Sequence, residues 1–263
     1  MLLHAHLDDG VWEPVTDGES GAVVLRSGDG SRYAKCVPAG HVAALEAERD
    51  RVDWLAAQDV PGPRVLDWHA GADGAVLVTD AVRGVPADRV PAPDLAAAWE
   101  PIADAVRRLH DLPPRRCPFT RDLTTMFATA REVVARGAVN PDFLPDDQRR
   151  TPPDELLGRL VPQLGHRLAQ EAAETVVCHG DLCLPNIVLD PDTLTVAGFV
   201  DLGRLGRADP CADISLLLAN ARETWADERR ASAADEAFAR RYGTVLDHER
   251  LRFYLHLDPL TWG

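Results

Sequence analysis

Three polar residues set the chemistry this chain could perform: Asp181 in His179-Gly180-Asp181, Asn186 five positions later, and Asp201 in Asp201-Leu202-Gly203. Short apolar runs frame them: Val176-Val177-Cys178 before, Ile187-Val188-Leu189 between, and Thr195 to Val200 leading into Asp201. An Asp190-Pro191-Asp192 turn signal joins the last two runs, which predicts a β-hairpin. Such a hairpin holds Asn186 and Asp201 at the same end of adjacent strands, where both could reach one metal ion while Asp181 reaches a substrate hydroxyl. Phosphoryl transfer needs those parts: a carboxylate to orient and deprotonate the nucleophile, and oxygen ligands for Mg²⁺ on nucleotide phosphates. Without chemistry, the same residues would be a turn, an Asx cap and a hairpin end.

The basic residues carry a second signal. Of 28 Lys and Arg residues, only Lys35 is lysine. In a chain that otherwise writes every cation as arginine, a lone lysine marks a position where a compact ammonium is needed and a planar fork does not fit. Lys35 lies in Arg32-Tyr33-Ala34-Lys35-Cys36-Val37, a predicted strand after a Gly28-Asp29-Gly30 turn. Val42 to Ala57 follows with helical spacing and an apolar stripe of Leu45, Val52 and Leu55. Glu48 falls on that stripe, whereas Glu46 lies about 160° away. A carboxylate on an apolar face is costly unless paired, and Lys35 is the partner the sequence offers.

Composition narrows the classes. At 263 residues the chain can bury a large core. No apolar run approaches membrane-spanning length and the first residues carry no basic-plus-apolar signal, which predicts a cytoplasmic protein without membrane attachment. The five cysteines, Cys36, Cys117, Cys178, Cys183 and Cys211, form no C-x-x-C pair and read as buried thiols in a reducing compartment. Cys178, His179 and Cys183 lack a fourth ligand at a zinc-site spacing. A net charge of −14 argues against nucleic acid and suits a small cationic substrate.

Residues 1 to about 80 read as hairpins around one helix, ending in the strand Ala75–Thr79, and the Pro-rich Val85 to Pro93 leads into a helical remainder. Periodicity and start signals predict helices over 94–111, 122–136, 154–173, 211–225, 233–242 and 247–256. There is no internal repeat or low-complexity tract.

The order Lys35, Glu48, Asp181, Asn186, Asp201 resembles the protein kinases, and His-Gly-Asp resembles their small-molecule branch, the aminoglycoside phosphotransferase family. Gly18-Glu19-Ser20-Gly21, Ala47 to Arg51, Asn140 to Asp146, Val177 to Asp181, Asp201 to Gly206 and Leu257 to Gly263 are similar to its 3''-phosphotransferases, the streptomycin 3''-kinases. The resemblance implies an α+β, bilobal, kinase-like fold with its site in the cleft: a nucleotide-binding lobe over 1–80, a hinge over 80–84 and a catalytic, aminoglycoside-binding lobe over 85–263. It implies ATP and Mg²⁺ as cofactors, Asp181 as catalytic base, and Asn186 and Asp201 as metal ligands. Lys35 contacts the α- and β-phosphates, paired with Glu48. Backbone near Ser20 and its hydroxyl cover the phosphates, and backbone groups of Asp80 and Val82 meet the adenine. His179 and Asp213 hold the catalytic loop, and Arg204 supports it or pairs with a carboxylate. Streptomycin carries guanidinium groups, so acids of the C-terminal lobe are its expected ligands: Asp142, Asp146, Glu223, Asp227, Asp258 and the terminal carboxylate of Gly263. The implied enzyme is a monomer that phosphorylates the drug's 3''-hydroxyl and confers resistance. The alternatives are a 3'-phosphotransferase acting on kanamycin or neomycin, and a non-catalytic nucleotide-binding pseudokinase. The latter is opposed by five intact site residues.

Overall fold

A computed structural model of the chain describes residues 10–15 and 22–263; Ser20 lies outside the described residues. In chain order the strands are β1 (Trp12–Val15), β2 (Val23–Ser27), β3 (Arg32–Pro38), β4 (Val65–Gly71), β5 (Gly74–Asp80), β6 (Val85–Pro86), β7 (Val176–Cys178), β8 (Ile187–Leu189), β9 (Val196–Phe199) and β10 (Gly206–Ala208). The helices are α1 (Val42–Ala56), α2 (Ala92–His110), α3 (Leu123–Ala135), α4 (Pro153–Leu160), α5 (Leu164–Glu174), α6 (Pro210–Arg222), α7 (Glu228–Tyr242) and α8 (His248–Leu257). The chain separates into two compact units, one of residues 1–85 with 187–203 and one of 86–186 with 204–263.

The first unit is built on an antiparallel sheet in the order β1-β2-β3-β5-β4. The two-residue alternation of strands decides which side chains meet α1. Ala34 and Cys36 of β3 join Leu25, Val76 and Val78 in one apolar cluster. On the other face, Val37, Ala75 and Leu77 pack with Leu45 of α1. Lys35 shares parity with Val37, so its side chain emerges on the α1 face. On α1, Leu45, Val52 and Leu55 are buried, which turns Glu48 toward the same sheet face. The β8–β9 hairpin belongs to this unit. Its turn is fixed by Asp190, whose Oδ1 accepts from the amides of Asp192 and Thr193, both at 2.9 Å. Phe199 at its end donates to Pro61 O at 3.0 Å.

The second unit is mainly helical, with β7 and β10 paired antiparallel. Aspartates open several helices: Asp122 accepts from Thr125 N, Asp227 from Arg230 N and Asp247 from Arg250 N. Two expectations are corrected. The stretch 154–173 is two helices, α4 and α5, separated by the Val161–Gln163 turn. Pro162 has no amide hydrogen to continue the ladder and its ring crowds the preceding turn. The helix expected to start at 233 begins at Glu228, because Asp227 supplies the cap. No helix among the described residues is long and apolar enough to cross a membrane.

Candidate active site

In the first unit Lys35, Glu48 and Asp201 converge. The Lys35 ammonium lies 2.8 and 3.1 Å from the two Glu48 carboxylate oxygens and 3.2 Å from Asp201 Oδ1. Burial alone would depress the ammonium, but the Glu48 and Asp201 charges together raise it above its ordinary value, so it stays protonated. Two carboxylates against one ammonium leave an excess negative charge. The Asp201 side chain is 44 % exposed, the most open of the three. Its backbone is left-handed, with φ of 60°. Aspartate tolerates that region better than most residues, and such conformations gather where a loop is held for function. Gly203 closes the turn onto α1: a Cβ there would come within 3.3 Å of Glu48 Oε2.

In the second unit the His179-Gly180-Asp181 loop is tied from below by Asp213, which is fully buried. Asp213 accepts from the amide of His179 at 2.6 Å and of Gly180 at 2.8 Å, and His110 Nε2 lies 3.1 Å from its Oδ2. His110 Nδ1 in turn meets the Tyr242 hydroxyl at 2.8 Å. Burial would raise the Asp213 carboxyl, but the hydrogen bond and charge of His110 and the loop amides hold it below its ordinary value. Gly180 has φ of 84°, and a Cβ would fall 2.2 Å from Arg204 O, so only glycine fits. Asp181 is half-buried. Asn186 Nδ2 donates to Asp181 O at 2.8 Å and Asp181 Oδ2 at 3.1 Å, with Cys183 Sγ at 3.2 Å. Its amide nitrogen is thereby committed, and the amide oxygen is the atom left to meet a ligand.

His110, Cys178 and Asp213 place three potential metal-ligating atoms within 4.8 Å of one another. Burial pushes the Cys178 thiol well up, keeping it neutral, and the Asp213 oxygens already serve two amides and a histidine. This cluster is a hydrogen-bonded anchor for the loop.

The other expected residues fall into distinct settings. Asp80 ends β5 with its carboxylate on the Arg64 amide. Val82 packs on β9, where a Cβ on Gly198 would come 2.9 Å from its Cγ1. Asp142, Asp146 and Glu223 are exposed; Asp146 pairs with Arg149 at 3.2 Å. Asp227 caps α7. Asp258 is buried, its Oδ1 bonded to Arg121 at 2.7 Å and its Oδ2 to Trp262 Nε1 at 3.0 Å. Gly263 O accepts from Arg136 at 3.4 Å. Phe143 meets Trp262 edge-on at 5.9 Å, so the Asn140–Asp146 and Leu257–Gly263 segments pack together. The sequence reading missed Arg121 and His110. No arginine stands out among 27 (28 cations less Lys35), and a histidine at a helix end shows no local sign of a partner about a hundred residues away.

A lysine bridged by two acids, together with an Asp-Asn loop pinned to a buried aspartate, is the equipment of a phosphotransferase. Residues 11–254 match the model of the phosphotransferase enzyme family, and the chain belongs to the aminoglycoside phosphotransferases within it. It is 68 % identical over 254 residues to the streptomycin 3''-kinase of Streptomyces griseus, covering 97 % of this chain and 93 % of that one. It is 40 % identical to the aminoglycoside 3'-phosphotransferase of Streptomyces fradiae, covering 94 % of both chains. The aminoglycoside phosphotransferase APH(3'')-Id of Streptomyces rimosus, solved in complex with ADP and streptomycin, superposes with a TM-score of 0.94 at 70 % identity, covering 99 % of this chain and 96 % of that chain. The fold is accordingly α+β and kinase-like.

Proposed function

We propose that this enzyme transfers the γ-phosphoryl group of ATP to the 3''-hydroxyl of streptomycin, a modification that confers resistance. The observation that carries the reading is the 68 % identity to a streptomycin 3''-kinase, against 40 % to a 3'-phosphotransferase. The site residues support the chemistry. Asp181 takes the hydroxyl proton as the acceptor oxygen bonds to the γ-phosphorus and the bond to the ADP oxygen breaks. The buried Asp213 anchor holds Asp181 in register, and Asn186 Nδ2 orients its carboxylate. Lys35, aligned by Glu48, binds phosphate oxygens. Backbone of Asp80 and Val82 receives the adenine.

The donor set suits Mg²⁺. The Asn186 amide oxygen and the open Asp201 carboxylate are hard oxygen ligands, and the excess negative charge around Lys35 favours a cation. Bound there, Mg²⁺ would neutralise phosphate charge. In this reading the first unit binds nucleotide and the second supplies the base and receives the antibiotic. Asp142, Asp146, Glu223, Asp227 and Gly263 are its candidate contacts. Asp258 is held in internal bonds and serves as scaffold.

An ADP-release assay with ATP and Mg²⁺, run on streptomycin, kanamycin and neomycin, tests the reading. Turnover on streptomycin alone is expected, since acids placed for planar guanidinium groups are left poorly paired by compact ammonium groups. Turnover on kanamycin with streptomycin untouched would move the assignment to the 3'-phosphotransferases.

A further inference from the structure

Asp258 was expected to face the antibiotic, yet its surroundings give it another task. Its pair with Arg121, at 2.7 Å, is nearly buried, with side chains 8 % and 12 % exposed. Arg204 Nη1 lies 3.6 Å from the same Asp258 oxygen. That guanidinium also donates to Thr261 Oγ1 at 3.0 Å and Thr261 O at 3.2 Å, and stacks 3.3 Å from the Trp262 ring centroid. Both arginines also touch the catalytic loop. A Cβ on Gly180 would come 2.6 Å from Arg121 Cδ and 2.2 Å from Arg204 O. The stem of Arg121 and the backbone of Arg204 therefore lie directly against the residue before Asp181.

We infer that Arg121 and Asp258, braced by Arg204, are positioning residues that hold the Asp258–Trp262 turn beside the His179-Gly180-Asp181 loop and so set how the acceptor is presented to Asp181. Three features favour this over simple stabilisation. The network joins the catalytic loop to the Asp258–Trp262 turn through a continuous set of ion pairs, hydrogen bonds and packed side chains. It extends through Trp262 to Phe143, which brings the Asn140–Asp146 segment into the same wall. Arg121 Nε is buried with no hydrogen-bond partner. An orphaned buried donor is a cost that a purely stabilising arginine would be expected to avoid. Asp258, balanced by two arginines, is neutralised within the wall and is not a ligand for a guanidinium group of the acceptor.

The inference rests on the proposed streptomycin kinase activity, and its test separates the two. Asp258→Asn, Arg121→Met and Arg121→Lys are compared with the parent in steady-state kinetics, varying streptomycin and ATP separately, with ADP binding and melting measured alongside. Trp262→Phe, which removes the Nε1 bond to Asp258 and trims the ring against Arg204 while keeping an aromatic there, serves as a milder variant should Arg121→Met fail to fold. The expected result is a streptomycin KM raised on the order of tenfold, about 1.4 kcal/mol, for Asp258→Asn and Arg121→Met. Smaller rises are expected for Arg121→Lys and Trp262→Phe, with the ATP KM and ADP affinity within about twofold of the parent. Folded variants whose two KM values stay unchanged, or rise together, overturn the positioning role. A parent enzyme inactive on streptomycin would instead overturn the functional reading.

Discussion

The two acid-bearing loops are held in opposite ways. Asp201, in the first unit, is open, adopts a left-handed backbone and meets Lys35 at 3.2 Å. The restraint is largely Coulombic and partly solvated. Asp181, in the second unit, sits on a loop whose amides are bound by the fully buried Asp213, itself backed by His110 and Tyr242. That restraint is dry, directional and far from solvent. A residue that binds a cation and phosphates on every turnover benefits from a charge balance that a ligand can reset. A general base benefits from a geometry that nothing resets. The contrast predicts that damage at the first site shows as lost nucleotide and metal use with the fold intact, whereas damage beneath the second shows as lost stability.

The strongest challenge to that contrast is Asp181→Ala. Removing the base should cost on the order of 10²–10⁴ in kcat, with ADP binding, followed by calorimetry, near that of the parent. Turnover like the parent's would remove Asp181 from the chemistry. Next in size is Asp201→Asn, which keeps the shape and deletes the charge; a drop on the order of 10² in kcat is expected from the lost transition-state stabilisation. Its signature should be a raised Mg²⁺ requirement in a metal titration, with streptomycin binding in the absence of nucleotide unchanged. Lys35→Arg preserves charge and replaces the ammonium with a fork. A charge-assisted contact of about 1.5–3 kcal/mol sets the expected rise in ATP KM at roughly 10- to 150-fold, with an unaltered melting temperature.

Stability measurements sharpen the other half. Asp213→Asn removes a buried charge that accepts from two loop amides, and should cost roughly 1–3 kcal/mol in denaturant unfolding. Because the folded Asp213 carboxyl lies below its ordinary 3.8, its stabilisation is complete above that value and is lost as pH falls through the depressed one. The variant should therefore show a shallower acid-side decline than the parent. A comparable, pH-dependent effect concerns Glu171, buried against the start of α3 with both oxygens on the Leu123 amide. Burial raises its carboxyl from 4.5 to about 7. The folded state holds that proton longer than the unfolded one, so stability should fall as pH climbs from about 4.5 to 7 and level off above. Glu171→Gln should flatten that slope, by up to roughly 3 kcal/mol between the two ends. Unchanged pH curves would show that neither group is linked to folding as described.

Much of this could be read from the residues because it depends on short-range rules. Strand parity and the Leu45–Val52–Leu55 stripe are enough to turn Lys35 and Glu48 to the same sheet face, and a turn signal at Asp190 is enough to make a hairpin. What stayed hidden depends on contacts between distant parts of the chain. Arg121 lies in a loop where nothing local distinguishes it from its neighbours, and its meaning comes from Asp258, 137 positions away. One miss was local: Pro162 interrupts the helix, but the apolar spacing on either side made 154–173 read as continuous. Asp258 looked like a solvated acid near the chain's end, and only packing shows that arginines and an indole have taken both of its oxygens.

The most direct test is the product itself. Purified enzyme is incubated with ATP, Mg²⁺ and streptomycin, and the product is examined by mass spectrometry and by proton–phosphorus correlation NMR. A single added phosphoryl group, with phosphorus coupled to the proton at the 3'' carbon, is the expected result. Phosphate at any other hydroxyl, or unmodified drug despite bound ATP, would contradict a streptomycin 3''-kinase.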